Sequence, residues 1–238
     1  MFDAHGPTVA ELARQALSST RRGYDLLAPK FDGTPFRTPG WLLDAVAPHL
    51  GQPGSVRDSL DLCCGTGAAL PLLQRVSREL VVGVDFSLGM LREAQAAVPS
   101  NGGRPSVVLV QQDVMALGFA ERFDLATIFG ALGHLRPAVQ ARFLAEVRSC
   151  LVPGGALAFV TAPLPPPWSL SLWLAAGFDA SMWVRNRLWR PPFYMYYLAW
   201  PLGRALRLLR EAGFTPEVRR LGPRRPLSRL RLVLARRE

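Results

Sequence analysis

The segment Leu60-Asp61-Leu62-Cys63-Cys64-Gly65-Thr66-Gly67 decides the fold, because it joins an apolar strand to a glycine turn and then to a helix. Glycine at 65 and 67 lets the backbone pass close to a ligand, where a Cβ atom would collide. Backbone amides at the start of the following helix favour negatively charged groups. Asp85 lies twenty residues after Gly65, at the end of the next predicted strand. A carboxylate there can accept hydrogen bonds from a ribose diol, so the segment predicts a site for an adenosine-containing ligand.

Short apolar runs alternate with amphipathic stretches along most of the chain, as expected when strands and helices follow one another. Seven strands are predicted, at 55–63, 80–84, 106–110, 123–129, 156–161, 217–221 and 229–235. The stretch VPGG at 152–155 is predicted to be a turn before the fifth strand. Apolar strands without polar alternation indicate a parallel sheet covered on both faces. Right-handed crossovers bring the loops after the strands to one edge of that sheet, where ligands bind.

The sixth position of the glycine pattern separates two cofactor classes. A dinucleotide fingerprint, GxGxxG or GxGxxA, requires a small residue there, and this chain has Leu70. That residue argues against a nicotinamide-dependent dehydrogenase. The pattern is instead Asp61-x-x-x-Gly65-x-Gly67, and it resembles the first motif of the class I S-adenosylmethionine-dependent methyltransferases.

Further segments resemble other motifs of that family, and they occur in the expected order. They are YDLLAPKFD at 24–32, GVDFSLGML at 83–91, QDV at 112–114, FDLATIFG at 123–130, LVPGG at 151–155 and LREAGF at 209–214. In the segment 24–32, Lys30 is followed by Phe31, which replaces the tyrosine that is commoner in the family. The glycine loop and the spacing look most like the small-molecule branch, which includes enzymes of quinone and lipid biosynthesis.

The resemblance implies a Rossmann-like α/β fold, with a seven-stranded, mostly parallel sheet, helices on both faces and an antiparallel last strand. It also implies one methyltransferase domain over residues 1–238, with an N-terminal helical lid at 1–40. The aromatic stretch 163–201 has no counterpart in the shared pattern, and we predict that it is a helical cap inserted between strand five and the last helix.

The resemblance further implies that the chain binds S-adenosyl-L-methionine. The residues predicted to contact it are Tyr24, Asp61, Cys63, Gly65, Gly67, Asp85, Phe86, Met90, Asp113, Val114, Phe129 and Gly130. In the family's pattern, Asp85 would hold the ribose, Phe86 would pack beside the adenine, and Asp113 would accept from the adenine amino group. Asp61 is predicted to order the glycine loop through backbone hydrogen bonds. The alternative for Asp85 and Asp113 is that they are ordinary strand-end acids, and no metal site is expected.

His134 is the candidate catalytic residue. It lies in the loop after the fourth strand, where the methyl group would face the acceptor. Its unperturbed pKa near neutrality suits a group that removes a proton from an acceptor oxygen or nitrogen. The alternative is a structural histidine, because methyl transfer from a sulfonium needs mainly alignment and the exclusion of water.

Charge is distributed unevenly along the chain. Residues 1–180 carry a formal charge of −1, while residues 181–238 carry 14 basic and three acidic side chains, a charge of +11. Five of the six tryptophans fall within 163–201, interleaved with Arg185, Arg187 and Arg190. Three hypotheses follow for this cap: a pocket for a hydrophobic or lipid-like acceptor, attachment to a membrane surface together with the basic C-terminal region, or packing alone.

Composition and motifs argue against a disordered chain, a disulfide or metal framework and a nucleic-acid methyltransferase. A hydrophobic fraction of 49% with 19% charged residues excludes a disordered chain. The three cysteines form neither a disulfide framework nor a metal-binding spacing, so a reducing, cytoplasmic compartment is expected. The C-terminal arginines suit nucleic acid, but no amino-group base-methyltransferase motif follows strand four. The leading hypothesis is therefore a methyltransferase for a small acceptor, and the second is a non-catalytic binding module of the same fold.

Overall fold

The computed structural model describes residues 6–98 and 105–238, and these contain a seven-stranded sheet with eight α-helices. The strands are β1 Val56–Leu62, β2 Ser77–Asp85, β3 Ser106–Gln111, β4 Phe123–Ile128, β5 Leu151–Thr161, β6 Phe214–Arg220 and β7 Arg231–Arg237. The helices are α1 Val9–Ala16, α2 Thr20–Leu27, α3 Gly40–Val46, α4 Leu70–Val76, α5 Leu88–Ala97, α6 Gln140–Cys150, α7 Leu170–Leu188 and α8 Leu202–Glu211. Residues 1–5 of the predicted lid and residues 99–104 lie outside the described residues.

The strand order is β3-β2-β1-β4-β5-β7-β6. β1 to β5 pair in parallel, and β7 runs antiparallel to both of its neighbours, β5 and β6. The predicted Rossmann-like class, with an antiparallel last strand, is confirmed. β6 therefore runs in the direction of β1 to β5.

Two apolar clusters cover the two faces of the sheet. Successive strand residues point to opposite faces, so Val81 belongs to one cluster and its neighbour Val82 to the other. α6 and α8 supply Phe143 and Leu209 to the Val82 face, while α4 supplies Leu73 to the Val81 face. Strands buried on both faces need apolar residues at every position, which explains their continuous apolar runs.

Local signals define several helix ends. Ser87 caps α5, because its hydroxyl accepts a hydrogen bond from the Met90 amide at 3.1 Å. Gly213 has a φ of +77° just after α8, and a left-handed residue at that point ends a helix. Thr8 and Glu11 form a reciprocal capping box at the start of α1.

The stretch predicted as a turn at 152–155 lies within β5 instead. Phe123 of β4 pairs with Leu151, while Leu125, two residues on, pairs with Ala156, so three extra residues of β5 form an irregularity in the ladder. Gly154 has a φ of +78° there. Turn-forming residues can thus bulge out of a strand without ending it, and the sequence pattern does not distinguish the two outcomes.

The parallel strands end at one edge of the sheet, and we call it the carboxyl edge. Asp85 pairs with Gln111, and the loops after β1 and β4 leave the sheet alongside them. Arg231 at the start of β7 pairs with both Arg220 and Thr161. The loop 221–230 and the stretch that follows β5 therefore leave the sheet from this same edge.

Candidate active site

The glycine loop at the end of β1 folds through three residues with positive φ. These are Cys63 at +55°, Gly65 at +56° and Gly67 at +83°. A non-glycine residue rarely adopts this conformation, and nothing in the sequence predicts it at Cys63. The Cys64 amide donates to the Val84 carbonyl at 2.9 Å, which keeps the loop bound to β2.

The two glycines of the loop face different surroundings. A Cβ atom on Gly65 would meet no other atom within 4 Å, so this residue borders open space. A Cβ atom on Gly67 would lie 2.9 Å from Leu70 Cδ1 and 3.3 Å from Ala94 Cβ. Gly65 therefore leaves room for a ligand, whereas Gly67 lets the loop pack on α5.

Asp85 at the end of β2 holds this loop in place. One of its carboxylate oxygens accepts from the Gly65 amide and the other from the Ser87 amide, each at 2.9 Å. Burial raises the pKa of Asp85, and the backbone hydrogen bonds from Ser87 and Gly65 oppose that rise. A carboxylate has roughly four acceptor positions, so about two remain for a ligand diol.

Asp61 lies deeper than Asp85 and is only 2% exposed. Its carboxylate accepts from the Thr127 hydroxyl at 2.7 Å. Burial raises the pKa of Asp61 to about 7, the Thr127 hydrogen bond opposes the rise, and Asp85 adds to it. The backbone hydrogen bond to the glycine loop that the sequence led us to expect from Asp61 is made by Asp85 instead.

A cavity of about 530 Å³ opens at the carboxyl edge, between the strand ends, α2 and the chain after α7. It is lined by these predicted site residues: Tyr24, Cys63, Gly65, Asp85, Phe86, Met90, Asp113, Val114, Phe129, Gly130 and His134. Asp61 and Gly67 are not among the lining residues. Thr66 and Gln112 also line the cavity, and both lie within motifs that the sequence displays. Arg136 and Tyr194 line it as well, with no sequence signal to mark them.

Hydrogen bonds attach α2 and the turn after it to the wall of this cavity. The Asp25 carboxylate accepts from the Ser87 hydroxyl at 2.6 Å and from the Gly89 amide at 3.0 Å. The Thr66 hydroxyl donates to Asp32 at 2.6 Å. Asp25 and Asp32 belong to the segment that resembles the family's N-terminal motif, but sequence analysis did not single them out as site residues.

His134 is bonded at both ring nitrogens. Nδ1 contacts the Tyr194 carbonyl, and Nε2 lies 2.8 Å from the Tyr24 hydroxyl. A carbonyl only accepts, so Nδ1 carries the proton and Nε2 accepts from Tyr24. Burial lowers the pKa of His134, with a smaller opposing effect of the Tyr194 carbonyl, and burial raises the pKa of Tyr24 above its usual range. Both groups are therefore neutral near pH 7.

Aromatic rings surround this pair. Tyr24 stacks on Phe193 with a ring-centroid distance of 6.2 Å and meets the His134 ring edge-on at 5.2 Å. The Arg136 guanidinium lies 4.3 Å from the centre of the Tyr194 ring. The part of the cavity next to His134 is therefore walled by rings from α2, the loop after β4 and the chain after α7.

Cys63 and Cys64 have no features of a reactive or metal-binding pair. Burial raises the pKa of both thiols, so they remain protonated. Among residues 6–98 and 105–238, no group of three or more His, Cys, Asp or Glu side chains is arranged to hold a metal ion.

Comparison with known proteins matches this site to a family. Residues 60–155 fit the model of a methyltransferase domain. The chain is 33% identical over 165 residues to demethylmenaquinone methyltransferase of Thermus thermophilus, covering 66% of this chain and 73% of that protein. The enzyme of the same name from Desulfitobacterium hafniense is 27% identical over 194 residues, covering 79% of this chain and 74% of that protein.

The chain belongs to the class I S-adenosylmethionine-dependent methyltransferases. The methyltransferase also shares its fold with DhpI, whose structure is a complex with SAH, at a TM-score of 0.66 and 20% identity over 97% of this chain and 98% of that one. The expectations of an enzyme, of S-adenosyl-L-methionine as cofactor and of a small-molecule branch are confirmed. The site fits the cofactor, because the open space at Gly65 and the free acceptor positions of Asp85 face the same cavity.

Proposed function

We propose that the methyltransferase transfers a methyl group to a small, hydrophobic acceptor with an oxygen-bearing aromatic ring, such as a quinol. This proposal rests on one observation. The same cavity that borders Asp85 extends to Tyr194 and Tyr197, two aromatic side chains in the chain after α7. Its wall beside Tyr24 and His134 combines flat rings with one polar pair, which suits an aromatic acceptor with a hydroxyl group. The demethylmenaquinone methyltransferases named above support the same acceptor class.

Cofactor contacts are proposed from the positions of the cavity residues. When bound, S-adenosyl-L-methionine supplies a methyl group on a positively charged sulfur, already activated for displacement. Asp85 would accept from the ribose hydroxyls, and Phe86 would pack beside the adenine. Asp113 would accept from the adenine amino group, since only one of its oxygens is used by the Met115 amide, at 2.9 Å. Gly65 would leave room for the cofactor at the turn.

Tyr24 and His134 are proposed to remove the acceptor's proton together. Because His134 Nε2 already accepts from Tyr24, the group that meets the acceptor is the Tyr24 hydroxyl. The acceptor hydroxyl gives its proton to the Tyr24 oxygen, while the Tyr24 proton passes to His134 Nε2. The Tyr194 carbonyl holds Nδ1–H and so keeps Nε2 free to accept. The electron pair left on the acceptor would form the new bond to the methyl carbon, while the bond from that carbon to the cofactor's sulfur would break and leave its electron pair on a neutral sulfur.

Two parts of the chain enclose the site in this proposal. Residues 1–40, as far as they are described, form a helical lid, and residues 163–201 form a cap on the methyltransferase domain of 1–238. Asp25 and Asp32 of the lid bond to residues beside the cofactor, and Tyr194 and Met195 of the cap border the acceptor. Peripheral contact with a membrane surface belongs to the same proposal, because an acceptor of this class partitions into lipid.

Methyl transfer from isotope-labelled S-adenosylmethionine tests the acceptor class. We expect label in a short-chain demethylated naphthoquinol and little in catechol, which lacks the fused ring and the apolar chain. Y24F is the matched variant, since it keeps the ring that stacks on Phe193 and removes only the hydroxyl. Transfer to catechol with none to the naphthoquinol would contradict the proposal.

A further inference from the structure

The longest helix, α7, exposes apolar side chains along one face. Leu170, Trp173, Leu174, Trp183, Val184 and Leu188 follow at helical spacing and are 46–79% exposed. The positions between them on this face are Gly177, Ala180 and Ser181, and Arg187 is its charged residue. We call this surface the outer face of α7. No residue of α7 is buried.

Two polar residues, Asp179 and Asn186, lie opposite the outer face of α7 and bond to the protein. Asp179 accepts from the Tyr197 amide at 2.7 Å and the Leu198 amide at 3.0 Å. Asn186 donates to the Phe193 carbonyl, and Arg185 donates to the Ser18 carbonyl at 3.0 Å. A surface helix ordinarily buries its apolar face and exposes its polar one. α7 instead exposes large apolar side chains, while Leu172, Phe178 and Met182 are half-buried on the side that faces the protein.

Basic side chains surround one end of this outer face. The Trp189 indole donates to the Leu17 carbonyl at 3.2 Å, which brings the end of α7 against the turn between α1 and α2. That turn is flanked by Arg21 and Arg22, while Arg187 and Arg190 come from the end of α7 and the chain after it, all four exposed. In the part of the chain that the structure describes, no carboxylate lies within 4.0 Å of these four guanidinium groups.

We propose that the outer face of α7 lies in the surface of a lipid bilayer that contains anionic lipids. Leucine and tryptophan would enter the boundary between headgroups and acyl chains, and the four arginines would contact lipid phosphates. A helix of 19 residues is about 28 Å long, so it offers an extended strip of contact. Among the described residues, no helix has the length and apolar character to cross a membrane, so the proposed contact is superficial.

Charge distinguishes this partner from a second copy of the chain. A two-fold dimer through the outer face would set Arg187 against the same basic region if the helices run parallel, and against the apolar start of α7 if they run antiparallel. The outer face supplies no carboxylate to balance it. An anionic bilayer offers both the apolar layer and the negative charge that this surface lacks. Arg224 and Arg225, exposed in the loop 221–230, leave the sheet from the same carboxyl edge and add to the attraction.

This inference rests on the proposed function, because it supplies a route for the acceptor. The inner side of α7 binds the backbone of residues 193–198 through Asp179 and Asn186. Tyr194, Met195 and Tyr197 of that same segment line the cavity. One layer of chain therefore separates the lipid-facing surface from the acceptor site, so the proposed route from the bilayer to the cavity is short.

Vesicle flotation tests the proposed surface directly. The full chain is mixed with vesicles of phosphatidylcholine alone, or of phosphatidylcholine with one third phosphatidylglycerol. We expect flotation with the anionic vesicles and at least tenfold less after W173S/W183S. R187Q/R190Q should weaken binding about tenfold at low ionic strength and have little effect in about 1 M salt, where charges are screened within about 3 Å. W41S and R75Q/R78Q are matched controls, because Trp41 is also exposed and the two arginines lie at the opposite edge of the sheet.

Measurements of activity and of oligomeric state distinguish failure of the proposed function from failure of the proposed membrane surface. W173S/W183S should keep the rate on a short-chain, water-soluble quinol and lose it on a quinol embedded in vesicles. If no quinol is methylated but flotation depends on Trp173 and Trp183, the proposed function fails and the surface assignment stands. If the protein stays out of anionic vesicles and light scattering shows a dimer that W173S/W183S dissociates, the outer face belongs to a second copy and the inference is overturned. Flotation unchanged by both double variants also overturns it.

Discussion

The sheet and the outer face of α7 treat apolar side chains in opposite ways. In β2, Val81, Val82 and Val84 are at most 4% exposed, and polar residues of the sheet that are buried find partners inside the protein. In α7, Trp173 and Leu188 are 65% and 79% exposed, while Asp179 bonds inward. The apolar side chains of the sheet are buried in the protein's own core, away from water. The outer face of α7 has large apolar side chains exposed to solvent, which is the surface that we propose contacts a bilayer.

The largest effect is expected in the cavity that lies between the two regions, at Tyr24 and His134. Y24F and H134Q should each lower the methyl-transfer rate on a quinol by about 10²–10³-fold, because a positioned proton acceptor contributes about that much. Cofactor affinity, measured by calorimetry, should stay within about twofold. A Y24F enzyme with full activity would remove Tyr24 from the proton transfer.

The pH dependence of that rate gives a second measure of the pair. The active form of His134 is neutral, and burial lowers its pKa. The wild-type rate should therefore stay level as pH falls past the ordinary histidine value of about 6.5, and decline only below it. H134Q should show no such decline. A decline centred above about 6.5 would contradict the buried, neutral histidine.

Asp61 belongs to the sheet, and its ionisation should change the free energy of unfolding. Its pKa is raised to about 7, so the folded state holds a proton that the unfolded chain releases near pH 4. The free energy of unfolding should then fall as pH rises from about 4 to 7, by about 2–4 kcal/mol. D61N keeps the acceptor for Thr127 and should flatten this slope in urea titrations. An unchanged slope would place its origin at another group.

The two glycines of the loop provide a matched pair within the sheet region. G67A should destabilise the fold by about 2–3 kcal/mol, since the new Cβ atom collides with Leu70 and φ is +83°. G65A should cost about 1 kcal/mol, from the left-handed backbone alone, yet weaken cofactor binding more than G67A does. Thermal unfolding and calorimetry measure the two quantities. Equal losses of affinity in the two variants would mean that Gly65 does not border the cofactor.

The smallest effect is expected on the outer face of α7. W173S and W183S should each change the free energy of unfolding by less than about 0.5 kcal/mol, because the side chains are mostly exposed. W200S should cost about 3 kcal/mol or more, since Trp200 is 4% exposed and contacts Phe143 and Phe159. Urea denaturation compares the three. A large loss in W173S would show that the outer face of α7 is packed against the protein.

The sequence predicted the sheet well because a strand buried on both faces leaves a simple pattern of continuous apolar residues. It could not separate a turn at 152–155 from a bulge in β5, since both use the same residues. It placed Asp61 and Asp85 on neighbouring strands, but which carboxylate holds the glycine loop depends on side-chain direction.

Contacts between distant parts of the chain are even harder to predict from the sequence. The bond between His134 and the Tyr194 carbonyl uses a backbone atom, so no residue type marks it. The sequence of α7 is apolar over most of its circumference, so it does not indicate which side of the helix points outward. That choice is made by the inward bonds of Asp179, Arg185 and Asn186 to the chain after it.

The bond between Asp25 and Gly89 has a practical use. Asp25 lies on α2, which covers the cofactor side of the cavity, and the Gly89 amide lies at the start of α5. That amide gives its hydrogen to a residue of α2, so it exchanges with solvent deuterium when α2 lifts away. The Gly89 amide is thus a natural reporter that can time the opening and closing of the site, with no dye or spin label added to the protein.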